Sequence, residues 1–205
     1  MNRLSLNKIV ITFSMNDLKT NLGFNNLSLS RTKICVLVIG VRGSGKSTLV
    51  KKLENYLPIK LENYGILDGD LIRTYFDLSG NWSDTKKYIE FIKTTILFDS
   101  INENRNIIVL DSGDKTIYYY DLFKTNGYKI MIVGVYVDNW EEVILRGQNR
   151  EKNSGKPYTG TKDMWEHSLD IITELLSKDI SYGILINNTD YNNPIAIKIN
   201  KIYIK

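Results

Sequence analysis

Cysteine and histidine each occur once in the 205 residues, and proline three times. A lone Cys35 forms no internal disulfide, and with His167 the single imidazole no cysteine–histidine zinc site can be assembled. Metal chemistry, where there is any, must run through carboxylates and phosphate. Cys35 sits inside an apolar run, which marks it as a small core residue, and His167 lies in a helix-like stretch where a surface position is expected. No apolar run approaches the roughly 18 residues that a membrane span needs. A strong charge excess is missing too: +4 with pI near 8.9 suits an anionic ligand but falls short of a nucleic-acid-binding signature by itself.

The chain length suits one globular domain with a single active site. Residues Met1–Ser30 mix Asn, Ser, Lys and scattered Leu without a sustained period, and the run Ile34–Ile39 then begins sharply. The expectation is an extension over 1–32, disordered or loosely docked, followed by a domain over 33–205. Arg3, Lys8 and Lys19 against Asp17 leave organellar targeting open, although the arginine richness of such leaders is missing. Otherwise a cytoplasmic location is expected.

Strand-like apolar runs alternate with helix-like segments, the pattern of an α/β fold with a parallel sheet covered by helices on both faces. The expected strands are Ile34–Ile39, Tyr64–Leu67, Ile107–Leu110, Lys129–Val137 and Gly183–Ile186, five in all. The expected helices are Lys46–Tyr56, Ser83–Asn102 with Ile89, Ile92 and Ile96 at helical spacing, Trp140–Asn149 and Lys162–Ser177. Between the last two, the polar stretch around 150–161 holds Gly155, Pro157 and Gly160 and reads as a loop or mobile lid. The end of the chain fits two patterns: a helix with Pro194 in its first turn, or a strand in which Ile195, Ile197 and Ile199 alternate.

Residues Gly40-Val-Arg-Gly-Ser-Gly-Lys-Ser47 match G-x-x-x-x-G-K-[ST] in full, after a predicted strand and before a predicted helix. In such a loop the glycines let backbone amides curl around a phosphate. Lys46 neutralises the β and γ oxygens, and the Ser47 hydroxyl ligates magnesium. Gly40, Arg42, Gly43, Ser44, Gly45, Lys46, Ser47 and Thr48 are therefore the candidates for holding ATP with Mg2+. A GTPase would carry N-K-x-D late in the chain and D-x-x-G near the metal. Asn187-Asn-Thr-Asp190 and Asp111-Ser-Gly-Asp114 comply with neither.

Leu67-Asp-Gly-Asp-Leu-Ile-Arg73 lies at the end of the second strand, where an open α/β sheet presents ligand-binding residues. Asp70 can take the proton of an acceptor hydroxyl and Arg73, within one helical turn of it, can hold anionic groups, with Asp68 as an orienting partner. Alternatively Asp70 is a helix cap and Arg73 a surface charge. Asp111 ends an apolar strand in the manner of a Walker B acid, and it either binds magnesium or contacts the acceptor. Arg146 and Arg150, four apart, share a helical face just before the lid; they either converge on ATP or balance Glu141 and Glu142 as solvated charge. Tyr118-Tyr-Tyr120 fits the core better than a stacking platform.

With these residues in place, the chain resembles the small P-loop kinases that include zeta toxins, polynucleotide kinase domains and adenylylsulfate kinases, over roughly Ile34–Ile204. The resemblance implies a fold like that of nucleoside monophosphate kinases, with Lys46, Ser47, Asp70, Arg73, Asp111, Arg146 and Arg150 in order. It further implies Asp70 as general base, Arg73 as an acceptor-phosphate or scaffold contact and Arg150 as a γ-phosphate clamp. Asp68-Gly-Asp70 fits the D-x-D element of zeta toxins, which act on a UDP-linked amino sugar. Their threonine and arginine after the third strand are replaced in Asp111-Ser-Gly-Asp-Lys115. Adenylylsulfate kinases share Leu67–Arg73 and the Ile186-Asn-Asn-Thr-Asp190 ending, but Leu71 stands where they usually carry asparagine. The expected function is ATP-dependent phosphoryl transfer to a hydroxyl of a nucleotide, polynucleotide end or nucleotide-linked metabolite. The alternatives are an adenylylsulfate kinase and a non-catalytic ATP-binding module.

Overall fold

Ile34-Cys-Val-Leu-Val-Ile39 is apolar without interruption, as a strand covered on both faces must be, and all six residues are buried. Alternation sends them into two separate cores. Ile34, Val36 and Val38 pack with Leu49, Val50 and Leu53, whereas Cys35, Leu37 and Ile39 pack with Ile89, Tyr119, Phe123 and Ile172.

The computed structural model describes residues 10–14, 33–56, 64–75, 82–113, 115–154, 158, 160–178, 180, 182–190, 192 and 194–199. Among these the strands are β1 (Val10–Ser14), β2 (Ile34–Ile39), β3 (Tyr64–Leu67), β4 (Asn106–Asp111), β5 (Lys129–Tyr136), β6 (Tyr182–Asn187) and β7 (Ile195–Ile199). The helices are α1 (Lys46–Tyr56), α2 (Gly69–Tyr75), α3 (Trp82–Asn102), α4 (Thr116–Thr125), α5 (Trp140–Ser154) and α6 (Lys162–Ser177). The sheet runs β1-β7-β6-β5-β2-β4-β3, and its five strands from β6 to β3 are mutually parallel. That is the five-stranded parallel sheet expected. Two antiparallel strands widen it, β7 beside β6 and β1 beside β7.

One open alternative is decided and three local expectations change. The segment after Pro194 is a strand and not a helix, since Ile195 to Ile199 finds an open ladder on β6, with Asn187 opposite Ile195 and Gly183 opposite Ile199. Within the supposed loose extension, Val10–Ser14 pairs along the whole of β7; the rest of 1–32 lies outside the described residues. Helix α5 continues to Ser154, so the first residues of the expected lid are helical. Helix α4 follows β4 where no helix was expected; it buries Thr116, Tyr119, Tyr120 and Phe123 and leaves Tyr118 exposed. The tyrosine run thus belongs mostly to the core, as does Cys35, whose thiol burial pushes well above its ordinary pKa. His167 is exposed on α6.

Candidate active site

β2, β3, β4, β5 and β6 are parallel, so their C-terminal ends share one edge of the sheet, where such folds hold ligands. At the end of β2 the chain turns through Gly43 and Gly45, with φ of +86° and +94°, a left-handed backbone that side chains resist. It then enters α1 at Lys46. The loop is tied from outside: the buried Asn188, just after β6, donates from Nδ2 to the Ser44 carbonyl at 2.7 Å. Thr48 lies in the first turn of the same helix, half-buried.

Lys46 folds back into the loop it belongs to. Its Nζ donates to the carbonyls of Gly40 at 2.5 Å and Val41 at 3.0 Å. Burial lowers its pKa to about 8, and Arg42 adds to the lowering; the charges of Asp111, Asp68 and Asp70 work the other way. An ammonium in this position is poorly solvated and surrounded by carboxylates, so a phosphate offers it a better partner than backbone carbonyls do.

Three aspartates face the loop, each held differently. Asp68 is buried; its Oδ2 accepts from Ser47 Oγ at 3.1 Å and its Oδ1 from the Asp70 amide at 2.9 Å. Asp68, and not Asp70, is therefore the cap of α2, which leaves the Asp70 side chain available to arginines. Asp70 accepts from Arg150 at 2.7 Å and stands 3.7 Å from Arg42 of the loop. Asp111 Oδ2 accepts from Thr116 Oγ1 at 2.6 Å and from the amides of Gly113 and Lys115 at 3.2 Å, which starts the turn into α4. Ser47 is thus joined to Asp68, while one Asp111 oxygen organises its own loop. A hydroxyl and a carboxylate side by side suit a hard cation that completes its shell with phosphate and water. No cluster of three or more His, Cys, Asp or Glu able to hold a metal occurs among the described residues.

The two arginines of α5 separate. Arg146 donates to Glu142 at 2.7 Å, one helical turn back, and to the Thr189 carbonyl at 2.8 Å, so it faces the loop after β6. Arg150, one turn on, reaches across to Asp70. Arg73 is on α2, and its side chain lies outside the described residues. Tyr158 covers this end: its hydroxyl donates to the Arg42 carbonyl at 3.2 Å, and its ring packs beside Trp140. The ring lies so close to α5 that a Cβ on Gly147 would stand 2.4 Å from it. Asn188 and Tyr158 were not singled out in the sequence; Asn188 falls in Asn187–Asp190, which was weighed as a guanine reader and set aside.

A family model described as zeta toxin matches residues 23–178. The chain belongs to the zeta toxin family. Its fold is that of a P-loop kinase, and in general terms it is a phosphotransferase. Among solved structures, the chain is similar to one from the PezAT chromosomal toxin-antitoxin system of Streptococcus pneumoniae, with TM-score 0.54 and 17% identity over 77% of this chain and 68% of that one. It is also similar to one in the Pnkp1/Rnl/Hen1 RNA repair complex, with TM-score 0.53 and 16% identity over 75% of this chain and 49% of that one, so it spans about half that relative's length. A putative kinase from Chloroflexus aurantiacus gives TM-score 0.53 and 11% identity over 80% and 89%. At such identities the likeness is one of fold. No curated protein matches the chain. No described helix is long and apolar enough to cross a membrane.

Proposed function

We propose that this zeta toxin family member is an ATP- and magnesium-dependent kinase that phosphorylates a hydroxyl of a nucleotide, a polynucleotide end or a nucleotide-linked metabolite. The observation that carries the reading is the position of Asp70. Its carboxylate lies between Arg42 of the phosphate loop and Arg150 of α5, at the edge of the sheet where the loop opens. A base that removes the acceptor proton must stand beside the transferred group, and cations that steady that group must stand beside the base.

In this reading Gly40–Ser47 and Thr48 hold the phosphates of ATP, Lys46 leaves the loop carbonyls for the β and γ oxygens, and Arg146 steadies the nucleotide near Thr189. Ser47 and Asp68 would hold magnesium, which supplies charge neutralisation at the phosphates; Asp111, also a candidate metal residue, would act through the loop that it braces. Arg150 then moves from Asp70 to the γ-phosphate, which leaves Asp70 to accept the proton as the acceptor oxygen bonds phosphorus and the bond to the β-bridging oxygen breaks. Arg73, on the same helix as Asp70, would steady the acceptor.

The test is acceptor-dependent ADP release across 5′-hydroxyl oligonucleotides, nucleotides and UDP-sugars. Asp70→Asn is expected to lower transfer by about 10² to 10⁴ with ATP affinity nearly intact. Unchanged transfer in that variant would remove Asp70 as base, and silence with every acceptor would favour a protein that binds ATP without transferring phosphate. An oligonucleotide acceptor would also show a KM that climbs steeply with salt.

A further inference from the structure

Lys93 lies in the middle of α3, a helix otherwise packed into the core through Ile89, Ile92 and Leu97. It is 8% exposed, an unusual place for a lysine, because taking an ammonium out of water is costly unless an anion answers it. Among the described residues its ion-pair partner is Glu90, one turn back and 3.7 Å away, which is beyond hydrogen-bonding distance. Glu90 is shared, since it also takes Lys115 from the loop that Asp111 braces.

The end of Lys93 reaches Gly69. A Cβ on that glycine would stand 3.4 Å from Lys93 Cε and 3.5 Å from Nζ, so the ammonium lies against the backbone of Asp68-Gly69-Asp70. It forms no ion pair there with either aspartate: Asp68 is engaged by Ser47 and its own helix, and Asp70 faces Arg42 and Arg150. Two lysines share Glu90, so its single charge does not neutralise both.

We infer that Lys93 is an acceptor-binding residue, whose ammonium takes a phosphate group of the acceptor beside Gly69. Every acceptor of the class proposed above carries such a group, and Lys93 is the residue that would read it. This rests on the reading that Asp68-Gly69-Asp70 faces the acceptor. Glu90, 3.7 Å away, holds the ammonium in place.

Inorganic pyrophosphate is a suitable probe, titrated calorimetrically into the full chain already saturated with magnesium and a non-hydrolysable ATP analogue, so that the phosphate loop is filled. Wild type is expected to bind it. Lys93→Met, which keeps the apolar stem, should weaken binding about tenfold to a hundredfold, as for loss of a hydrogen bond to a charged group. Lys93→Arg should recover most of it. Affinity for the ATP analogue, measured without pyrophosphate, should stay unchanged in both. Equal pyrophosphate affinity in wild type and Lys93→Met overturns the assignment, as does a loaded wild type that binds none. A purely structural lysine would shift the unfolding midpoint and leave the affinity alone. The outcome is separable from that of the transfer assay: Lys93-dependent binding without ADP release would sink the kinase reading and keep the anion site, and the reverse would do the opposite.

Discussion

The phosphate loop is one run of consecutive residues from Gly40 to Ser47, whereas the side facing it is assembled from the ends of β3 and β4 and from α3 and α5. In the loop the conformation is dictated locally: Gly43 and Gly45 supply backbone angles that other residues resist, and Lys46 finds its partners five and six residues away. Across from it Asp68 and Asp111 also brace their own turns, but the contacts that join one element to another span the fold, with Arg150 reaching Asp70 across 80 positions and Lys115 reaching Glu90 across 25. A contact made within one turn of chain costs little entropy and survives wherever that turn forms. A contact made across the sheet depends on every element that carries it. In the proposed reading, nucleotide binding is thus the robust half of the site, and acceptor recognition the half open to variation.

The sharpest way to break this comparison is at Asp68, which belongs to both halves through Ser47 and the Asp70 amide. Asp68→Asn keeps an oxygen to cap α2 but loses the charge. We expect the magnesium needed for half-maximal rate to rise about 10- to 100-fold, and Asp111→Asn to change it far less, as a magnesium titration of both variants would show. Equal rises would return Asp111 to the metal.

Next in size is the cover over the loop. Gly147→Ala forces a methyl into the Tyr158 ring, and stability should fall by about 1–3 kcal/mol in denaturant unfolding. If stability is unchanged, Tyr158 yields freely and does not fix that end of the site.

The smallest effect concerns the loop alone. Its lysine has a pKa near 8, below the ordinary value of 10.5, mainly through burial. Between those values the unfolded chain holds a proton that the folded one has lost, so this group's destabilising effect is relieved as pH rises. Phosphate binding needs the ammonium and moves the other way: ATP affinity should fall by up to about tenfold per unit as pH climbs above 8. Titration of ATP from pH 7 to 9.5 measures that slope. Lys46→Arg, charged throughout, should flatten it at whatever affinity it retains.

Elements with a strong local signal were legible in the sequence. The run Ile34–Ile39, buried on both faces, could be nothing but a central strand, and the motif beside it placed Lys46 and Ser47 without any knowledge of the sheet. Helix α4 escaped because Tyr118–Tyr120 reads as an aromatic cluster before it reads as a helix face; only with Thr116 bonded to Asp111 does the turn that starts it become visible. The segment after Pro194 carried two periodicities, and the free edge of β6 decided between them. Lys93 gave no signal, since one lysine in a mixed helix looks like any solvated charge until its neighbours are known.

From the sequence alone came the alternation of strands and helices, the phosphate loop and the acids and arginines that follow it in order, because periodicity and a contiguous motif are properties of neighbouring residues. Tertiary structure decided how those residues are paired: Asp68 with Ser47, Asp111 with its own loop, Asp70 with two arginines, and Lys93 against Gly69. The reason is physical. Which acid meets which cation depends on where parallel strands end and on how helices cross above them, and no spacing along the chain encodes that.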